Sequence, residues 1–172
     1  MKKHNGMRPH DVVILLKIAA KSGEDWYMKD LSVELGISAS EVSESLNRSA
    51  YAGLIAQNKK VLMKKSLLDF LENGLKYVYP VKPGAVLRGM PTAHSAPPLS
   101  NQIVSDEVYV WPHAKGTERG QSIEPLHSSV PEACKKDGRL YHLLTLVDAL
   151  RVGKVREQEI AGKLLRQMTD QG

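Results

Sequence analysis

The sequence predicts an α+β chain, mainly α, in which an N-terminal unit of helices and a hairpin precedes a loop-rich, Pro-rich segment that ends in helices. Three observations carry this prediction. Apolar residues recur at helical spacing over about residues 9 to 52 and again from Leu140 to Met168, two short extended pieces flank the polar turn Gln57 to Lys60, and five prolines fall between Pro80 and Pro98. The change of character near Tyr79 divides the chain into residues 1–78 and 79–172.

Pro9 suits the first turn of a helix, and Val12, Val13, Leu15, Leu16, Ile18 and Ala19 continue it as a broad buried stripe to about Lys21, where Ser22 and Gly23 stop it. A second helix, Lys29 to Leu35, offers Leu31 and Leu35 at i and i+4 before Gly36 breaks it, and Gly36 with Ile37 forms a turn. Ser38 with Glu41 three residues on has the spacing of a capping box for a third helix, Ser40 being an alternative cap. Val42, Leu46 and Ala50 face inward from that helix and leave Ser43, Glu44, Asn47, Arg48 and Tyr51 to look outward. Gly53 closes it. Leu54 to Ala56 and Val61 to Met63 then read as a hairpin, and Ser66 caps a fourth helix that buries Leu67, Leu68, Phe70, Leu71 and Leu75 and ends near Tyr77.

Pro80, Pro83, Pro91, Pro97 and Pro98, with Gly84 and Gly89, forbid a long helix after Tyr79. Val81, Val86, Leu87 and Met90 are interleaved with them, which favours an ordered, loop-rich segment docked on the rest over a plain linker. Val108 to Trp111 is a strand candidate bounded by Pro112 and Gly116, and Pro131 opens a helix. Leu140 to Val152 followed by Val155 to Met168 reads as one or two helices, with Gly153 as the joint between them.

The run MKDLSVELGISASEVSESLNRSAYAGLI resembles the winged helix-turn-helix superfamily, most closely the MarR-like transcriptional regulators, over about residues 9 to 76. Leu31, Leu35, Gly36, Ile37, Val42 and Leu46 stand where two short helices crossing at a fixed angle need an apolar lock and a bend. The resemblance implies a regulator, in the first instance a repressor, bound to double-stranded DNA through residues 38–52. Ser38, Ser40, Ser43, Asn47 and Arg48 then face the major groove, where Arg pairs with guanine and Asn with adenine. Lys59 and Lys60 at the wing tip, Lys64 and Lys65 after it, and Lys29 at the start of the second helix contact phosphates. Glu41 and Glu44 place negative charge on the same helix and oppose this reading. Residues 79 to 168 are similar to the C-terminal part of a group of small bacterial proteins at YPVKPG, VWPHAKG and LVDALRVGKVRE, which implies no particular chemistry.

The alternative is an antitoxin-like adaptor that binds a protein partner encoded by a neighbouring gene. An enzyme is the weakest class, because no nucleophile-elbow, zinc-protease or phosphate-loop pattern occurs; Arg88, Arg119, Glu118 and Asp148 would be the residues to test. Tyr109, Trp111, Pro112 and His113 either line an effector pocket or plug a small core. His94, His113, His127 and His142 lack the short spacing of a zinc site, so neither metal nor cofactor is expected. Lone Cys134 excludes an intrachain disulfide and, beside Lys135 and Lys136, is either a reactive thiolate or a buried thiol.

A net charge of +5 favours polyanionic partners. The basic start MKKHNGMRPHD leads into an apolar stretch interrupted by Lys17, which reads as a helix and not a signal peptide, and no run reaches the ~18 apolar residues of a membrane span. A cytoplasmic protein is expected. Leu140, Leu143, Leu144, Val147, Leu150 and Val155, extended by Ile160, Ala161, Leu164 and Leu165, form a stripe expected to join two copies as a homodimer.

Overall fold

Pro9 fixes the first turn of α1 (Pro9–Ala20), and the Asp11 carboxylate accepts the Arg8 N–H at 2.8 Å. The structure, a computed structural model, describes residues 5–170; Lys2 and Lys3 of the basic opening segment lie outside the described residues. Every residue from Asp11 to Ala19 is buried, so α1 has no solvent face and acts as a central post. It contacts α2 (Met28–Leu35) and α3 (Ala39–Tyr51). Gly36, at φ +67, ends α2 in the left-handed region and returns its N–H to Ser32, a conformation that a side chain would strain. Ser38 then caps α3 by accepting the Glu41 N–H at 3.2 Å.

Ile55 and Leu62 form a single antiparallel bridge, flanked by hydrogen bonds from Ala56 N to Val61 O and from Met63 N to Leu54 O. This is the hairpin expected from sequence, reduced to its smallest form, with Lys59 at φ +60 in its turn. Helix α4 (Lys64–Asn73) starts two residues ahead of the expected cap Ser66, and Gly74 separates it from one short turn, α5 (Leu75–Val78).

The Pro-rich segment carries more strand than expected. β1 (Val86–Pro91) pairs antiparallel with both β2 (Tyr109–Pro112) and β3 (Glu118–Ser122), and β2 pairs parallel with β3, so the small sheet closes on itself. Gly89 is required there, since a Cβ would collide with the Trp111 carbonyl across the strand pair. α6 (Val130–Lys136), α7 (Gly138–Val152) and α8 (Val155–Asp170) follow, with Pro131 in the first turn of α6 and Gly153 between α7 and α8.

Like α1, α7 is engulfed: Leu143 to Leu150 are all buried. α7 packs on α1 and α8, and α6 packs on α2. One cluster of buried side chains therefore runs from Val12 through Leu75 to Leu165, and the boundary expected near residue 78 separates stretches of sequence without separating cores. The stripe expected to meet a second copy is turned inward, with Leu140, Leu143, Leu144, Val147, Leu150, Ala161 and Leu165 buried and Ile160 and Leu164 half-buried. Only Val155, 72% exposed, faces out. Sequence periodicity showed that this surface is apolar; α1 and the sheet segment, distant in sequence, cover it. No described helix is long and apolar enough to cross a membrane.

Asp137 ties the two halves. It caps α7 by accepting the Leu140 N–H at 3.1 Å and holds the Lys17 ammonium of α1 at 2.7 Å. Burial acts to raise its pKa, but Lys17 and the Leu140 N–H hold the carboxyl below the usual range. Asp137→Ala removes a cap and leaves the buried Lys17 with only Glu34, at 3.5 Å, so it is expected to cost about 2–3 kcal/mol in urea unfolding. Asp137→Asn keeps the cap and is expected to recover part of that loss; equal losses in the two variants would show that the cap contributes nothing, and an Asn variant as stable as the parent would show the same of the charge pair.

Candidate nucleic-acid interface

The outward stripe of α3 consists of Ser40, Ser43, Glu44, Asn47 and Tyr51, at helical spacings of three and four. Ser40, Asn47 and Tyr51 are exposed, Tyr51 at 74%, while Ser43 is half-buried. Ser38 is exposed too, but its hydroxyl is engaged as the cap and lies 3.3 Å from that of Ser40.

Arg48 is not on this face. It is only 7% exposed, and its Nε and Nη2 donate to both oxygens of the fully buried Asp11 at 2.8 Å each. The expectation that it reads guanine is corrected by this pairing: Asp11 holds the guanidinium protonated and turned inward. A carboxylate at the head of the buried apolar run of α1 is the sequence signal of such a partner, since a buried charge without a counterion is very costly.

Around this pair lies a constellation that sequence reading did not assemble. His10 Nε2 is 3.1 Å from Glu41 and 3.2 Å from Arg48, and its ring meets His127 edge-on with centroids 5.6 Å apart. His127 Nδ1 in turn meets the Ser129 hydroxyl at 2.8 Å. Glu41 is thereby drawn toward the start of α1, away from the outward stripe of α3. A side chain at Gly36 would come within 3.9 Å of Ser129 Cβ, so the segment before α6 passes beside the α2–α3 bend, where Gly36 itself stays exposed.

Lys29, Lys59, Lys60 and Lys65 are exposed and Lys64 is half-buried. Lys60 does not simply project into solvent: its Nζ sits 5.0 Å from the Trp26 ring centroid and 5.8 Å from that of Tyr27.

The remaining candidates do not converge on a second site. Trp111 is 1% exposed and donates its indole N–H to Asp148 at 2.6 Å; Thr92 and Arg151 donate to the same carboxylate at 2.7 and 3.0 Å. Burial raises the Asp148 pKa, and these three donors oppose that rise. Trp111 and Asp148 are thus core, while Arg88 and Arg119 face each other across β1 and β3 on the exposed end of the sheet. Cys134 is buried, and burial pushes its thiol pKa up, away from a reactive thiolate. His94 is enclosed between Glu107 O and Glu157, His113 pairs with Glu132, and His142 stays half-buried on α7. Among the described residues no group of His, Cys, Asp and Glu is arranged to hold a metal ion.

Arg48→Ala is expected to act on stability and not on base choice, because it strands the Asp11 carboxylate in the core. A loss of about 3–5 kcal/mol is expected from chemical denaturation; a loss below about 1 kcal/mol would show the pair to be dispensable. His127 supplies a pH signature. Burial and the charge of His10 lower its pKa, outweighing Glu41, so the folded chain favours neutral imidazole. Its contribution is present above the unfolded value of about 6.5 and is lost as pH falls through the folded one. The thermal midpoint of the parent chain should therefore fall more between pH 7.5 and 5.5 than that of His127→Gln, and identical slopes would exclude this role.

Comparison of the chain with protein-family models, with curated proteins and with solved structures returns no match, so what this surface can do follows from its own residues.

Proposed function

We propose that the chain is a sequence-reading DNA-binding protein of winged helix-turn-helix type, acting in the cytoplasm as a transcriptional repressor. The observation that carries this reading is α3: a Ser-capped helix behind a left-handed glycine bend, with Ser40, Ser43, Asn47 and Tyr51 on its outer stripe and a Lys59–Lys60 hairpin following it. A helix of this kind fits the major groove with its polar stripe against base edges, and lysines beside it neutralise phosphates. With Arg48 withdrawn, base reading falls to Asn47, which suits adenine, and to the serines, while Tyr51 reaches backbone or sugar. The preference is accordingly for an A·T-containing half-site. Two copies on half-sites ~34 Å apart remain part of the reading, joined through a surface other than the buried α7–α8 stripe.

The adaptor reading draws on Glu44 and on exposed Tyr51 and Val33, which suit a protein surface as well as a groove. Salt separates the two. Selection from a random duplex pool, followed by titration in salt, is expected to give affinity that falls steeply as counterions are released. Asn47→Ala should lose discrimination at one position by ~1–3 kcal/mol, whereas Lys59→Ala with Lys65→Ala should weaken all duplexes alike and reduce the salt slope by about one unit per contact. If no duplex is enriched and binding is insensitive to salt, the DNA reading fails.

A further inference from the structure

A cleft of about 500 Å³ opens where the end of α1, the segment Ser22 to Tyr27 and the hairpin meet, closed at the back by Thr169 of α8. Apolar Ile18, Ala19 and Leu62 line it together with two aromatic residues, Trp26, which is 8% exposed and packs into the core, and Tyr27, which is 68% exposed. Glu24 and Asp25 line the same space. The lysines nearest to them in sequence on α1 and just after it turn elsewhere, Lys17 to Asp137 and Lys21 to Glu34, and among the described residues neither acid enters an ion pair. The aromatic faces are occupied from within, by the Lys60 ammonium lying over both rings.

We propose that this cleft is a binding site for a small organic cation of the alkylammonium class, and that Lys60 is its built-in surrogate. An ammonium is attracted to the faces of Trp and Tyr by their ring quadrupoles, and aromatic walls of this kind recognise quaternary ammonium groups. Charge selects the sign of the ligand. With Lys60 in place, the acids Glu24 and Asp25 are balanced by Lys60 and Lys64, the latter with a partner of its own. Swinging Lys60 out leaves the two acids in excess and the ring faces bare, which an entering cation restores like for like; an anion would meet both carboxylates. Lys60 is free to make that exchange, because it sits exposed on a flexible four-carbon stem in the hairpin turn. Release of Lys60 places a second ammonium beside Lys59. That consequence for phosphate binding, unlike the site itself, rests on the DNA reading above.

The test needs no DNA. Tetramethylammonium chloride is titrated into the full chain and followed by two-dimensional NMR, with sodium chloride at matched ionic strength and sodium benzoate as the opposite-sign probe. Saturable shifts confined to residues around Trp26, Tyr27 and Val61 are expected for tetramethylammonium alone. Lys60→Met keeps the stem and removes the competing charge, so it should bind the probe at least threefold more tightly; Tyr27→Leu should weaken binding by about tenfold, and the same spectra report that each variant is folded. The proposal is overturned if tetramethylammonium gives no saturable shift, if Lys60→Met binds it equally or less well, or if benzoate binds and loses its affinity in Lys60→Met.

Discussion

The structure depends on burying α1 on every side while that helix carries a charge near each end. Asp11 and Lys17 are both enclosed, and the fold answers each with a specific counterion: Arg48 from α3 and Asp137 from the cap of α7. A buried charge stripped of its partner costs several kcal/mol, so these two pairs fix more than stability. The Asp11–Arg48 fork sets the rotation of α3 about its own axis, and that rotation decides which side chains face solvent. Had Arg48 pointed outward, Ser45 and Ser49, both fully buried, would have turned with it. The outward stripe of Ser40, Asn47 and Tyr51 is therefore a consequence of an interaction inside the core.

Local signals made the N-terminal elements legible. Pro9, the Gly36 bend, the Ser38 cap and Gly53 each act within a few residues, and hydrophobic spacing alone places α1, α2 and α3. What could not be read depended on contacts between distant residues. Arg48 looks exposed on a helical projection because its partner lies 37 residues away, on a helix where Asp11 passes for an ordinary acid in the first turn. β1 and β3 were hidden for a related reason: strands interrupted by Gly89, Gly120 and Pro91 show little alternation, and their pairing is supplied by a closed sheet of three short strands. The stripe on α7 and α8 is apolar as expected, but the elements that cover it, α1, α4, α5 and the helical turn Ala93–Ser95, lie far from it in sequence.

The acids that oppose groove binding change meaning once the structure is considered. Glu41 leans toward His10, so the negative charge nearest the start of α3 is held by a side chain of α1. Glu44 stays half-buried on the outer stripe, among polar residues that are mostly neutral. The exposed cations of this region, Lys29, Lys59 and Lys65, lie outside the stripe itself. On the proposed DNA reading, such a distribution would position the helix by its flanks and leave discrimination to Asn47 and the hydroxyls.

The same geometry makes the C-terminal half a participant in whatever α3 does. Ser129 lies beside the Gly36 bend, His127 meets His10, and His10 meets both Glu41 and Arg48. The segment before α6 thus meets the start of α3 through a short chain of side-chain contacts. α6 is anchored in turn on α7, whose Asp148 is fixed by Thr92, Trp111 and Arg151. Packed interiors transmit strain because they have no free volume in which to relax. Trp111, Asp148, α7 and α6 are accordingly parts of one packed interior that extends to α2 and the turn into α3.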